Sequence, residues 1–232
     1  MTNKDKTIRS IEKAMILLEL IAAEGGSLRL QDMVNLTGIS KSTLHGILST
    51  LVTLGYIERR GANYTLGLRL KDLTRSLLNK EEQRRQLLSE TLHKMATLSE
   101  ESCYLAVACG LREYSYIDAI EKDTDGNSAY RQGKKEALTV SAIGKVLLAF
   151  DKHLVRPLRL SGNMTENLEA ELKKIHLDGY AIELATTISG FNCLALPLLK
   201  KGKIIAVIGV CGPRNRLTLE KMIDLKRLFS LG

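Results

Sequence analysis

The chain has 232 residues, a length that allows one large domain or two smaller ones, each with a buried core. With 44% hydrophobic residues, 26% charged residues and a mean hydropathy of −0.04, its composition is that of a folded globular protein and excludes disordered, collagen-like and membrane-embedded classes. The 34 Lys and Arg residues outnumber the 26 Asp and Glu residues, so the net charge is +8 and a polyanion is the first partner to consider.

The chain shows no export signal, membrane span or metal-ligand motif. Its amino terminus is polar and charged, and its apolar runs are shorter than the roughly 20 residues of a membrane helix, so we expect a cytoplasmic protein with no membrane partner. The cysteines form no CxxC motif and the four histidines are not at ligand spacing, which predicts reduced thiols, no metal and no cofactor. The cysteines are Cys103, Cys109, Cys193 and Cys211.

The first 55 residues are patterned as three short helices. Apolar residues at helical spacing over 8–22 predict the first helix, and a second ends at Gly38, where a glycine can adopt the left-handed conformation that closes a helix. Ser40 is suited to cap a third helix whose apolar face continues to Leu54. Helix, glycine turn and helix at this spacing predict a helix-turn-helix, with a plain three-helix core as the alternative.

Two short β-like runs follow the third helix. They cover residues 56–60 and 64–66, and the Gly61-Ala62-Asn63 turn between them predicts a hairpin wing with Arg59 and Arg60 near its tip. A leucine stripe then predicts a linker helix that ends near a charged run. The stripe consists of Leu66, Leu70, Leu73 and Leu77, and the charged run covers residues 80–85.

The remainder of the chain alternates strand-like and helical segments. The strand-like segments cover residues 104–109, 114–120, 180–184, 193–199 and 204–211. Helical patterns cover residues 142–150 and 168–177, and a further amphipathic helix begins at Leu87. Because Gly202 between the last two strands predicts a hairpin, the favoured class is α+β with a mixed or largely antiparallel sheet rather than a doubly wound one.

Short motifs in a fixed order along nearly the whole chain carry a resemblance to one known family. They are Gly38-Ile39-Ser40-Lys41-Ser42-Thr43-Leu44-His45, Leu54-Gly55-Tyr56, Tyr64-Thr65-Leu66-Gly67, the run 142–150, Gly179-Tyr180-Ala181, Cys193-Leu194-Ala195 and Gly212-Pro213. In these motifs the chain resembles the IclR family of bacterial transcriptional regulators. With the resemblance we expect a winged helix-turn-helix DNA-binding domain at 1–67, a linker helix at 68–83 and a GAF-like effector-binding and oligomerisation domain at 84–232.

A DNA operator would be read by short polar donors at the start of the third helix and by cations directed at phosphates. The predicted DNA contacts are Lys41, Ser42, Thr43, His45, Gly46, Ser49, Arg59 and Arg60. A solvated helix face and an ordinary charged hairpin tip are the alternatives. The charge favours DNA, because residues 1–80 carry 12 Lys and Arg against 7 Asp and Glu, whereas the remaining 152 residues carry 22 against 19.

Gly46 departs from the family pattern, which usually has arginine at this position. The departure removes a phosphate or base contact and places a glycine inside a helix, at a cost of about 1 kcal/mol relative to alanine. A close approach of the backbone to DNA or to another helix would compensate for this cost.

The resemblance implies that the second domain binds a small carboxylate. The predicted effector contacts are Ala142, Ile143, Glu183, Cys193, Gly209 and Cys211. Ala142 and Ile143 match the start of a helix, where N–H groups without helical partners favour an anion, and the other four would face them from the sheet. The alternative for Cys193 and Cys211 is that of small buried hydrophobic side chains.

Thr186 also departs from the family pattern, since an acidic residue is usual there. Fewer acids favour a more anionic or more hydroxylated ligand, and a sugar acid or a 2-oxo acid is the expected effector. Hydroxyl groups could come from Ser141, Thr186, Thr187 and Ser189, for which helix capping and turn formation are the alternatives.

Two other function classes compete with a ligand-controlled regulator. An enzyme has no support from motifs, since GxSxG, P-loop, HExxH and GxGxxG patterns are absent from the sequence. A ligand-independent architectural DNA binder rests on basicity alone, and the size of the second domain argues against it. The favoured interpretation is a homodimer, joined through the leucine stripe, that binds a double-stranded DNA operator. The sign of regulation and the pairing of dimers into tetramers stay open.

Overall fold

The computed structural model describes residues 8–122, 134–185 and 189–230. The chain divides into two compact units, with the division between Glu82 and Gln83. This division falls inside one long helix.

The first unit is a small helical core with a three-stranded sheet. Its elements are α1 (Arg9–Ala23), β1 (Ser27–Arg29), α2 (Leu30–Thr37), α3 (Lys41–Thr53), β2 (Ile57–Arg60), β3 (Asn63–Leu66) and the first part of α4 (Arg69–Ser99). The strands pair antiparallel in the order β1-β3-β2, so the predicted hairpin gains a third strand, β1, that the sequence did not indicate. Leu17, Ile21, Met33, Leu44 and Leu48 form the centre of the core.

Local sequence signals fix the turn between α2 and α3. Gly38 closes α2 with a φ of 66°, a left-handed conformation that glycine adopts without a steric penalty. The Ser40 hydroxyl accepts a hydrogen bond from Thr43 N at 3.4 Å and caps α3 as predicted. Gly67, after the wing, lies against the turn that follows α3, because a Cβ there would be 2.2 Å from the carbonyl oxygen of Gly55.

One continuous helix, α4, replaces the two helices that the sequence suggested. The expected linker helix ends near residues 80–85 and a new helix begins at Leu87, but α4 runs without a break over 31 residues. The charged run contains neither glycine nor proline, and its Lys, Glu, Gln and Arg residues are good helix formers. The prediction that Leu66 belongs to the leucine stripe of the linker helix is wrong, because Leu66 lies in β3.

The second unit is built on a six-stranded antiparallel sheet. Its elements after α4 are β4 (Ser102–Cys109), β5 (Glu113–Ile120), β6 (Lys135–Ala137), α5 (Ala142–Phe150), α6 (Lys152–Leu160), α7 (Glu166–Asp178), β7 (Ala181–Leu184), β8 (Phe191–Lys200), β9 (Lys203–Pro213) and α8 (Leu219–Ser230). The strand order is β6-β5-β4-β9-β8-β7, and each neighbouring pair is antiparallel. The predicted α+β class with an antiparallel sheet is confirmed.

The predicted β8–β9 hairpin is present, and its turn has two residues. Lys200 pairs with Lys203, and both turn residues have positive φ, 52° at Lys201 and 72° at Gly202. The sequence did not indicate α6, because Pro157 within it reads as a helix breaker, and it also missed β6 and α8.

Helices cover both faces of the sheet. On one face α5, α6 and α7 pack against inward residues of the strands, among them Ala195 and Val207. On the other face, the second part of α4 and α8 pack against alternate residues of the same strands, among them Leu196 and Ile208. This alternation follows from the two-residue period of a strand and places two apolar layers around one sheet.

Two glycines inside helices predict opposite effects of the same substitution. A Cβ at Gly144 in α5 would lie 2.4 Å from the carbonyl oxygen of Leu138, whereas a Cβ at Gly46 in α3 would meet no atom within 4 Å. We expect Gly144→Ala to lower the free energy of unfolding by about 1–3 kcal/mol through overpacking. Gly46→Ala should raise it by about 1 kcal/mol through helix propensity. Urea unfolding followed by circular dichroism checks both, and a neutral Gly144→Ala would contradict the close contact.

Candidate functional site

The predicted recognition face of α3 is exposed along one side of the helix. Leu44, Leu48 and Leu51 are buried on the opposite side. The exposed residues of the predicted set are Lys41, Ser42, His45, Gly46 and Ser49, and Thr43 is half-buried. The Thr43 hydroxyl lies 2.8 Å from the Ser40 hydroxyl, so it takes part in the hydrogen-bonded cap of α3.

Gly46 leaves this face without a side chain at one position, and no contact within the described chain requires a glycine there. No segment of the described chain comes within 4 Å of the position of a Cβ there, so a close approach to another helix of the same unit does not explain this residue. The Thr50 hydroxyl donates to the carbonyl oxygen of Gly46 at 3.0 Å. The other compensation expected from the sequence, a close approach of DNA to the backbone at Gly46, stays a prediction.

Both wing arginines are exposed but already have partners in the hairpin. The Arg59 guanidinium lies 5.7 Å from the centre of the Tyr64 ring, and its Nε donates to the carbonyl oxygen of Gly61 at 3.1 Å. Arg60 donates to Glu58 at 3.0 Å, and 77% of its side chain is exposed. An exposed ion pair contributes only about 0–1 kcal/mol, so Arg60 can exchange the carboxylate for a phosphate at small cost.

A cavity of about 370 Å³ lies between the start of α5 and the sheet of the second unit. Its lining includes all six residues that were predicted to contact an effector: Ala142, Ile143, Glu183, Cys193, Gly209 and Cys211. The structure therefore brings them together, and their role as ligand contacts stays a prediction. Sequence reasoning missed five polar residues of the same lining: Tyr104, Tyr114, Tyr116, Lys134 and Glu136.

Close packing of α5 on β9 forms one wall of this cavity. A Cβ at Gly209 would lie 2.6 Å from Cδ1 of Ile143, so the glycine admits the isoleucine side chain. The buried Glu183 carboxylate accepts a hydrogen bond from Ala142 N at 3.1 Å. Since this carboxylate already occupies one N–H group at the helix start, a second anion there would compete with Glu183.

The described hydroxyl groups that the sequence suggested as ligand contacts do not lie together in one place. Ser141 caps α5, because its hydroxyl accepts from Gly144 N at 3.3 Å, which is the capping alternative considered for it. Ser189 is exposed in a turn. Thr186 and Thr187 lie outside the described residues.

A tyrosine cluster forms the polar side of the cavity. The Tyr114 hydroxyl donates to Glu136 and lies 2.7 Å from the Ser141 hydroxyl and 3.1 Å from that of Tyr116. Tyr116 donates to the same Glu136 oxygen at 3.0 Å. Burial, reinforced by Tyr116 and Glu136, holds the pKa of Tyr114 well above its usual range, so this residue remains a neutral hydroxyl at physiological pH.

A larger groove of about 820 Å³ lies between α5, α6 and α7. Its walls are mainly apolar, with Leu148, Val155 and Leu172 among them, and its lining also includes cations such as Arg156. Since ligand sites combine an apolar surface with a few convergent polar groups, the smaller cavity with its tyrosine cluster is the better candidate for a ligand site.

Comparison with known proteins places the chain in a family. The IclR helix-turn-helix domain matches residues 10–61, and the C-terminal domain of the bacterial transcriptional regulator IclR matches residues 78–229. The HTH-type transcriptional regulator XynR of Escherichia coli is 28% identical over 94% of this chain and 92% of its own length. The glycerol operon regulatory protein of Streptomyces griseus is 30% identical over 91% and 87%, respectively.

A solved structure shows the same fold. An IclR homologue from Microbacterium hydrocarbonoxydans, complexed with 4-hydroxybenzoate, superposes with a TM-score of 0.69 at 19% sequence identity, and the match covers 96% of each chain.

The chain belongs to the IclR family, as the sequence motifs predicted. It is a DNA-binding transcriptional regulator, and its relatives bear the names of regulators and not of enzymes. Across the described ranges, no helix is long and apolar enough to cross a membrane. The same ranges hold no group of three or more side chains suited to a metal ion.

The buried Tyr114 hydroxyl predicts a specific alkaline sensitivity. Below pH 10 this hydroxyl is protonated in the folded and the unfolded chain, so its contribution to stability is complete. Above pH 10 the unfolded chain releases the proton and the folded chain retains it, so the free energy of unfolding falls by about 1.4 kcal/mol per pH unit. Urea unfolding at pH 9 and pH 10.5 should show this loss in the wild type and a smaller loss in Tyr114→Phe.

The half-buried Tyr180, which lies outside the cluster, supplies the matched control. Tyr180→Phe leaves the Tyr114 cluster intact, so the loss attributed to Tyr114 should remain. Equal pH dependence in the wild type and Tyr114→Phe would show that Tyr114 ionises in the folded protein.

Proposed function

We propose that this regulator binds its operator as a dimer through α3 and the wing, under the control of a hydroxylated carboxylate bound in the cavity beside α5. The observation that supports this proposal most directly is the combination of two features in one chain. The first unit has an exposed polar face on α3, and the second unit has a cavity lined by convergent polar groups. The first feature suits a DNA groove and the second suits a small ligand.

The composition of the cavity supports a hydroxyl-rich ligand over a 2-oxo acid. Lys134 can pair with a ligand carboxylate, whereas Glu136 and Glu183 can only accept hydrogen bonds when ionised. A sugar acid brings several hydroxyl donors together with one carboxylate, and a 2-oxo acid such as pyruvate brings a carboxylate without donors. The relative crystallised with 4-hydroxybenzoate, also a hydroxylated carboxylate, supports the same class.

An exposed apolar groove in the first unit supports a dimer. It lies between α1, α3 and the first part of α4, has a volume of about 520 Å³, and includes Ile11, Met15 and Leu73. Leu77 on α4 is also exposed, at 62%. A second copy that covered this surface would bury Leu70 and Leu73 of the predicted leucine stripe and would present two α3 helices to a pseudo-palindromic operator.

Removal of a predicted phosphate contact should weaken operator binding with a characteristic salt dependence. We expect Lys41→Gln to reduce affinity on all sequences alike and to reduce the slope of log affinity against log salt by about one unit per bound chain. Fluorescence anisotropy with an operator selected from a random duplex library checks this slope. The matched control is Lys173→Gln in the second unit, which should leave the slope unchanged; equal slopes for both variants would remove Lys41 from the interface.

Ligand binding should stabilise the protein in a way that depends on Lys134. A sugar acid at 100 times its dissociation constant is expected to add about 2.7 kcal/mol to the free energy of unfolding, seen as a rise in the melting temperature. The rise should be lost in Lys134→Gln and kept in Lys135→Gln, since only the first lysine lines the cavity. Neutral polyols and pyruvate serve as comparisons, and a larger shift with pyruvate than with any sugar acid would reverse the preference proposed for hydroxylated ligands.

A further inference from the structure

Two cysteine thiols face each other across the central hairpin of the second unit. Cys193 in β8 lies directly opposite Cys211 in β9, and their Sγ atoms are 2.8 Å apart. Both are thiols, both are half-buried, and both line the cavity beside α5. They are 18 residues apart in the sequence, so no local motif indicates that they meet.

A β-bulge produces this juxtaposition. From the two-residue turn, Lys200 pairs with Lys203 and Leu199 with Ile204, a register that would place Cys193 opposite Val210. The register shifts between Leu198 and Leu199, which moves every later pair by one residue and brings Cys211 opposite Cys193.

The strand geometry suits a covalent bond between the two sulfurs. Directly opposed residues of antiparallel strands have Cα atoms about 4.5–5.5 Å apart, and disulfides span Cα separations of about 4.4–6.8 Å. The sulfurs need to approach by less than 1 Å to reach the bonded length of about 2.05 Å. No change of register is required, so the bond can form within the native sheet.

The other two cysteines lack this arrangement. Cys109 lies opposite Glu113, and Cys103 lies opposite Ile120 on one side and Val210 on the other. Burial raises the pKa of Cys103 to about 11, which leaves it roughly a hundredfold less thiolate than an ordinary thiol at neutral pH. Of the four cysteines, Cys193 and Cys211 alone are directly opposed in the sheet.

We propose that Cys193 and Cys211 are a redox-active dithiol that low-molecular-weight disulfides convert into a cross-strand disulfide. One thiolate attacks a sulfur of the reagent RSSR, forms a mixed disulfide and releases RS⁻, which takes up a proton. The second thiolate then attacks the protein sulfur of the mixed disulfide and releases the second RS⁻. The two cysteines lose two electrons, the reagent gains them, and two RSH molecules are produced for each protein disulfide.

The modification would act on the proposed ligand site, and this part rests on the proposed function. Formation of the bond removes two S–H groups from the cavity wall and covalently joins β8 to β9 at that point. A bound ligand in turn covers the sulfurs, so it should slow the reaction with RSSR. Oxidation and ligand binding are therefore expected to oppose each other, because each changes the wall that the other uses.

Reaction of the full-length protein with oxidised glutathione tests the dithiol. Peptide mass spectrometry after alkylation should show a 193–211 disulfide that dithiothreitol reverses, with Cys103 and Cys109 still alkylated. Cys193→Ser should stop at one glutathione bound to Cys211, and Cys109→Ser should form the disulfide as the wild type does. A wild-type protein that stays fully reduced, or that retains glutathione as the Cys193→Ser variant does, would overturn the proposal.

A second measurement separates this inference from the proposed function. The rate of disulfide formation is compared with and without a saturating sugar acid that raises the melting temperature, and a fall of about tenfold or more is expected from the coverage of the sulfurs, on the scale of typical coupling energies. If the disulfide forms but no carboxylate shifts the melting temperature, the redox-active dithiol is supported and the ligand proposal is contradicted. A ligand-stabilised protein whose disulfide forms at an unchanged rate would disprove the opposition between oxidation and ligand binding alone.

Discussion

The start of α5 packs closely on its neighbours at two positions that are glycine, where a Cβ atom would find no room. The cavity of the second unit depends on this close packing. Gly144 faces the backbone of Leu138, and Gly209 receives the side chain of Ile143. Because the contact at Gly144 is with backbone, it cannot relax by rotation of a side chain. Gly209 thus admits the start of α5 close to β9, Gly144 admits it close to the Leu138 backbone, and Ala142 and Cys211 both line the cavity beside this contact.

Polar groups around this contact have hydrogen-bond partners within the protein. Glu183 accepts from the start of α5, and Tyr114 connects Glu136 with the cap residue Ser141. A hydrogen bond to a charged group contributes about 1.5–3 kcal/mol, so a ligand that displaced Glu183 would have to replace that energy. A ligand that adds donors to the existing acceptors avoids this loss, which is the physical basis for proposing a hydroxylated ligand rather than a second anion at the helix start.

Local patterns carried the prediction of the fold class further than that of the site. The Ser40 cap, the Gly38 turn and the Gly202 hairpin depend on neighbouring residues, and they were predicted correctly. The Tyr114 cluster depends on the pairing of β5 with the short strand β6, and the meeting of Cys193 with Cys211 depends on one bulge. Such contacts depend on strand register. Hydrophobic alternation indicates which face of the sheet a residue occupies but not which residue lies opposite it, so sequence patterns did not indicate these contacts.

The two candidate sites share a design in which internal partners hold the binding groups, but the cost of exchange differs. Arg60 in the wing pairs with Glu58 at an exposed position, where the exchange of a carboxylate for a phosphate costs about 0–1 kcal/mol. Glu183 is buried against Ala142, where the loss of its partner is more expensive. The proposed phosphate contacts of the wing would therefore form with little selection among sequences, whereas a ligand in the proposed site would be selected by the polar groups it leaves unpaired. In the proposed interface, sequence specificity is expected from α3, where His45 and Ser49 are exposed beside the open position at Gly46.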